Sequence, residues 1–108
     1  MATKIEYLNF ILEQLTGLSE IEYRQMMGEY ILYYRGKIAA YVCDDRLLVK
    51  PVASVKRMLP DAPLEPPYDG AKDMVLVTDI DNREFMERLF AAMYEELPAP
   101  KKKNRTDT

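Results

Sequence analysis

Few side chains in this sequence have the type and spacing that catalysis needs. The most suggestive are three carboxylates, Glu29 and the adjacent pair Asp44-Asp45. Converging on one point, they could hold Mg²⁺ or do acid–base work. A solvated turn accounts for the pair equally well. Cys43 could act as a nucleophile. The sequence contains no histidine to activate it, and no helix N-terminus is apparent beside it. A packed thiol is the simpler reading. Lacking histidine, the chain also lacks the commonest general base and the commonest zinc ligand. Ser19 and Ser54 have no triad context. Gly28 lacks the further glycines and the helix of a phosphate loop, and reads as a tight turn. No enzymatic activity, metal or cofactor is expected.

Binding chemistry has better candidates. Arg24 and Lys50 are the basic residues most embedded in strand-like segments. They either pair with Glu22, Glu29 or Asp45, or face an anion or a partner. The stretch "PPYDGAK", residues 66–72, is stiffened by proline and carries Tyr68 at its tip and Lys72 at its end. Gly70 permits an unusual backbone angle there. Tyr68 either seals the rim of the core or closes a pocket. In the second case Arg24, Lys50, Tyr68 and Lys72 would line a site for an anionic ligand.

The elements that must position these residues follow from pattern. Thr3 and Glu6 form a capping box, and Ile5, Leu8, Ile11, Leu12 and Leu15 recur at helical spacing. Gly17 suits a left-handed helix end, giving a helix over roughly 4–16. Strands are expected at 21–27, 30–34, 37–43 and 46–50. Their short connections, Arg35-Gly36 and Asp44-Asp45 among them, require an antiparallel meander. A short helix follows Pro51, through about Leu59. A proline-rich loop, a fifth strand at 73–78 and a last helix complete the chain. Asp81 and Glu84 box the start of that helix, and Phe85, Leu89, Phe90, Met93 and Leu97 form its apolar stripe. The order α-β-β-β-β-α-β-α makes a two-layer α+β domain of three helices on an antiparallel sheet.

Unbroken register through the two turns fixes the sheet's faces. Tyr33 then pairs with Ile38, Ile31 with Ala40 and Val42 with Leu47, forming the face under the helices. The opposite face collects Tyr30, Leu32, Tyr34, Ala39, Tyr41, Cys43, Leu48 and Lys50. It is aromatic with a polar fringe, as association surfaces are. The face is either covered by a helix of the same chain, used for association, or a ligand groove. Where it associates, Tyr30, Leu32, Tyr34, Tyr41 and Lys50 are the expected interaction residues, for a partner protein or a second copy. Replacing Tyr34 by Glu is expected to break such a dimer and spare the fold. A one-residue slip would exchange the two faces.

Composition bounds the rest. A chain of 108 residues with 48% hydrophobic and 31% charged residues fits one globular domain. Its single cysteine allows no intrachain disulfide and suits a reducing cytoplasm. The N-terminus has polar and acidic residues where a signal peptide needs an apolar run, and no apolar stretch approaches the ~20 residues of a membrane span. Residues 101–108 carry four basic residues and one acidic, leaving 11 basic and 17 acidic on the first 100. Such an acidic body disfavours direct nucleic-acid binding. A domain over 1–97 with a disordered, solubilising basic tail over 98–108 is expected.

The stretch "YRQMMGEYILYYRGKIAAYVCDDRLLVKP" resembles the core signature of the TfoX/Sxy N-terminal domain family. Arg24, Met26, Met27, Gly28, Tyr30, Leu32, Tyr33, Gly36, Asp45, Leu47 and Lys50 carry the resemblance, which extends over roughly residues 3–97. It implies an α+β domain of the secretion-chaperone-like kind. It also implies kinship with two-domain bacterial regulators of natural competence, which act with other transcription factors. The helical second domain of those regulators is not in this sequence, so the likeness is to a stand-alone short form. The resulting expectation is a non-enzymatic, cytoplasmic regulatory or protein-interaction domain. The alternative is a small-molecule sensor with an anion pocket between the sheet and the proline-rich loop.

Overall fold

In a computed structural model, residues 4–26 and 28–98 of the chain are described. The elements are α1 (Ile5–Gln14), β1 (Ile21–Met26), β2 (Glu29–Tyr34), β3 (Lys37–Cys43), β4 (Arg46–Val49), α2 (Ala53–Met58), β5 (Leu64–Glu65), β6 (Met74–Val77) and α3 (Arg83–Tyr94). The strands form one antiparallel sheet in the order β1-β2-β3-β4-β6-β5. The α+β class and the meander follow the expectation. The expected order lacks one strand. β5 lies inside the proline-rich segment, and its two residues between Pro63 and Pro66 are too few to show a period.

Both expected two-residue turns are present. Arg35 and Gly36 have φ of 53° and 86°, and Asp44 and Asp45 of 56° and 55°. Positive φ at both central residues marks the type I′ turn, whose twist matches that of the flanking strands. The helix ends differ from expectation. The box expected at Thr3 falls outside the described residues. The N-cap of α1 is Lys4, which makes no side-chain cap bond; its N–H donates to Asp45 Oδ1 at 3.1 Å. Gly17 is not left-handed. Its N–H donates to Glu87 Oε2 at 2.9 Å, and a Cβ there would displace the Glu87 carboxylate. Asn82, not Asp81, caps α3, accepting the Phe85 N–H at 3.1 Å. For α2 the cap comes from elsewhere in the chain. Glu96 Oε1 accepts the Ser54 N–H at 2.8 Å and the Ser54 hydroxyl at 2.7 Å. These bonds hold the Glu96 carboxyl below its ordinary range.

The register contains one irregularity, and it decides the faces. Tyr33 pairs with Ile38 and Val42 with Leu47, as expected, but Leu32 pairs with Ala40 and Ile31 with Tyr41. Ala39 is an extra residue, a β-bulge in β3. It reverses the phase of β2 against β3. Tyr30, Leu32 and Tyr34 therefore lie under the helices, with at most 7% exposure. Their expected place on the open face is corrected by that bulge. Ala39 belongs to the buried core as well. Tyr41, Cys43 and Leu48 keep the open side, joined by Ile31 and Tyr33.

The main core is a layer between this face and the helices. Leu32, Ala40, Val42, Leu47, Val49, Val75 and Val77 meet Leu8, Ile11, Leu15, Val55, Met86, Leu89, Phe90 and Met93. The C-terminal end of α3 is pinned by aromatic contacts. Tyr94 packs edge-on against Tyr34 with ring centroids 5.2 Å apart. Lys37 Nζ lies 4.2 Å from the Tyr94 centroid and donates to the Tyr94 carbonyl at 3.1 Å. A cation there also meets the negative end of the helix. Among the described residues, no helix is long and apolar enough to cross a membrane.

Tyr34 thus holds the fold together. Tyr34→Glu would bury an unpaired carboxylate and lose the ring contact, so it should destabilise by about 3 kcal/mol or more. Urea unfolding of wild type and variant checks this. An unchanged midpoint would mean that Tyr34 is a surface residue.

Candidate functional site

The face of the sheet away from the helices carries a second, smaller apolar cluster. Cys43, Leu48 and Met74 are buried there, with Tyr41 and Leu76 packed against them. No helix covers it; the segment between β5 and β6 does. Pro67 is buried and Tyr68 is exposed. The Tyr68 ring lies over Tyr41, with centroids 6.3 Å apart and planes tilted by 59°. Several contacts fix the cover. β5 pairs with β6, Glu65 forms an ion pair with Arg46, and the Ala71 N–H donates to the Tyr68 carbonyl at 3.1 Å. Gly70 follows with φ of 87°; a Cβ there would meet nothing within 4 Å. Backbone conformation, not space, calls for glycine at this position.

The Tyr41–Tyr68 pair stands between two hollows that share these residues and Pro67. One, of about 260 Å³, is lined also by Lys50, Pro51, Lys72, Asp73 and Met74. The other, of about 440 Å³, is lined also by Met26, Glu29, Ile31 and Cys43. The first gathers charge and the second is mainly apolar. Neither the Lys50 nor the Lys72 ammonium is engaged in an ion pair with a described carboxylate. Asp73 is the carboxylate that shares their hollow. Burial, with Tyr68 as the next contributor, raises the Tyr41 phenol above its ordinary pKa. Tyr41 therefore offers a neutral hydroxyl at physiological pH.

Of the expected pocket residues, Lys50, Tyr68 and Lys72 come together. Arg24 does not; it lies exposed on β1, outside the lining of either hollow. Of the expected interaction residues, Tyr41 and Lys50 belong to this face. Met26, Ile31 and Pro67 join it without being foreseen, Ile31 because the bulge carries it there. Two of the three carboxylates accept backbone N–H groups. Glu29 Oε1 accepts the Asp44 N–H at 3.0 Å, and Asp45 accepts from Lys4. Among the described residues no group of three or more cysteine, aspartate or glutamate side chains takes a metal-holding arrangement. Burial pushes the Cys43 thiol above its ordinary pKa, against the opposing pull of Arg46. That disfavours the thiolate a nucleophile needs.

Comparison with known proteins adds a family. The TfoX N-terminal domain model matches residues 13–96. A protein of Spirochaeta aurantia, described as an uncharacterized 12.7 kDa protein in the trpE 5′ region, is 32% identical over 110 residues. That match covers 100% of this chain and 96% of the relative. No solved structure matches.

An apolar hollow beside two free ammonium groups should take up a molecule with an aromatic body and an anionic end. Anilinonaphthalene sulfonate is such a probe. The native protein should bind it saturably with a rise in fluorescence. The double variant Lys50→Glu, Lys72→Glu should bind roughly tenfold more weakly, a difference of about 1.4 kcal/mol. Equal binding by both proteins would show that the dye sits elsewhere.

Proposed function

The chain belongs to the TfoX N-terminal domain family, and from that membership we propose that it is a non-enzymatic regulatory domain working by recognition. Its working surface is the helix-free face of the sheet. The observation that carries this reading is the groove there, apolar at one end and cationic at the other, roofed by a single tyrosine-bearing loop. Recognition suits these residues better than catalysis does. Glu29 and Asp45 accept backbone N–H groups and the thiol is buried. The acidic body fits a domain that meets a partner protein in the cytoplasm rather than DNA alone. Transcription-related regulation of the kind the family resemblance implies is consistent with this mode of action.

A second reading has its own support. Lys50 and Lys72 flank the hollow next to Tyr41 and Tyr68, an arrangement suited to a small ligand with an anionic head and an apolar body. The protein would then be a sensor whose loop responds to occupancy.

One experiment separates the face that works from the one that does not. A photo-crosslinking residue is placed at Tyr68 in one variant and at Arg83, exposed at the start of α3, in another, and both are irradiated in cells. Partner recognition predicts a protein adduct of defined mass from position 68 and none from position 83. The same adduct from both, or only from position 83, would contradict it. A small-molecule adduct at position 68 would favour the sensor.

A further inference from the structure

β1 is an edge strand with six residues, and no described strand pairs with its outer side. Positions 22–26 are all exposed, including Tyr23 at 49% and Met26 at 45%. A long, flat, partly apolar edge is a template for another strand, and soluble proteins usually blunt it. The only charges along this one are Glu22 and Arg24. They point to the helix-free face, because they pair across the sheet with Tyr33 and Ile31. Neither makes an ion pair within the chain's described residues.

These two charges favour one register for a second copy. A two-fold axis perpendicular to the sheet would lay β1 antiparallel to β1 of the partner and continue the sheet across the axis. Faces are preserved only if directly opposed residues have the same parity. Centring the axis on Glu22 opposes two glutamates, and centring it on Arg24 opposes two arginines; like charges directly opposed destabilise. Centring it on Tyr23 opposes Glu22 of each copy to Arg24 of the other. Two reciprocal ion pairs then flank the axis on one face. On the other face the two Tyr23 rings meet, each already packed edge-on against Tyr30 of its own sheet at 5.7 Å.

We propose that the protein self-associates through β1, with Tyr23 on the two-fold axis and Glu22 paired with Arg24 of the second copy. The contact is small, so the dimer is weak and depends on protein concentration. It leaves the groove on the helix-free face open and brings the two grooves into one continuous sheet. The surface shares only Met26 with the groove, so failure of this dimer leaves the functional reading intact.

Charge exchange tests it by sedimentation velocity over a concentration series. Wild type should shift from monomer to dimer as concentration rises. Glu22→Arg alone opposes only arginines, and Arg24→Glu alone opposes only glutamates; each should stay monomeric where wild type is dimeric. Mixed in equal amounts, the two variants should associate, since every opposed pair is then of opposite sign. Should one single variant fold poorly, the double exchange within one chain, E22R with R24E, should dimerise by itself. A wild type that remains monomeric throughout would overturn the proposal. So would single variants that dimerise like wild type, or a mixture that does not associate.

Discussion

The extra residue in β3 is the constraint on which the rest of the structure depends. Two type I′ turns hold β2, β3 and β4 in register at their ends, so one inserted residue must be absorbed inside the strand. Ala39 absorbs it. Both Ala39 and its neighbour Ala40 are fully buried and have little side chain to accommodate. The Ala39 carbonyl is satisfied by the Lys50 N–H at 3.1 Å, so the bulge leaves no orphan acceptor there. As a result the helices cover Tyr30, Leu32 and Tyr34, and the far side of the sheet is left with Ile31, Tyr41 and Leu48.

That far side cannot stand bare. A patch of Cys43, Leu48 and Met74 facing water would cost roughly 25 cal/mol for each Å² of apolar surface. The proline-rich segment covers it at little entropic cost, because its prolines are already restricted when unfolded. It is tied at one end by β5 and the Arg46–Glu65 pair and rests at the other on Tyr41 through Tyr68. A loop makes a thinner roof than a helix. The hollows on either side of Tyr68 are the space it does not fill. Recognition surface and imperfect cover are thus the same feature.

Much of this was legible in the residues. Gly36, Asp44 and Asp45 tolerate positive φ, so the turns and the antiparallel meander could be read directly. The faces could not. The strand "YILYY" is apolar at every position, so no alternation says which side meets the helices. An Ala-Ala pair carries no signal for a bulge. With β2 given the wrong phase, its tyrosines expected outside, Tyr30 and Tyr34, were those inside. The cap of α3 was misplaced by one residue because Asp81 and Asn82 are both good caps. The groove was half legible: Lys50, Tyr68 and Lys72 stood out by type. The Tyr41–Tyr68 contact joins residues far apart in the chain and had no local mark. Arg24 was read toward that groove because only its charge is visible in sequence, whereas its place on an edge strand is a property of the assembled sheet.

The most direct test of this account is ring accessibility. Tyrosine ring resonances are assigned, and a soluble paramagnetic probe is added. The account predicts strong broadening for Tyr68, an intermediate effect for Tyr41, and protection of Tyr30 and Tyr34. Broadening of Tyr30 and Tyr34 to the extent seen at Tyr68, with Tyr33 and Tyr41 protected, would contradict it. The helices would then lie on the other face of the sheet, and the groove with them.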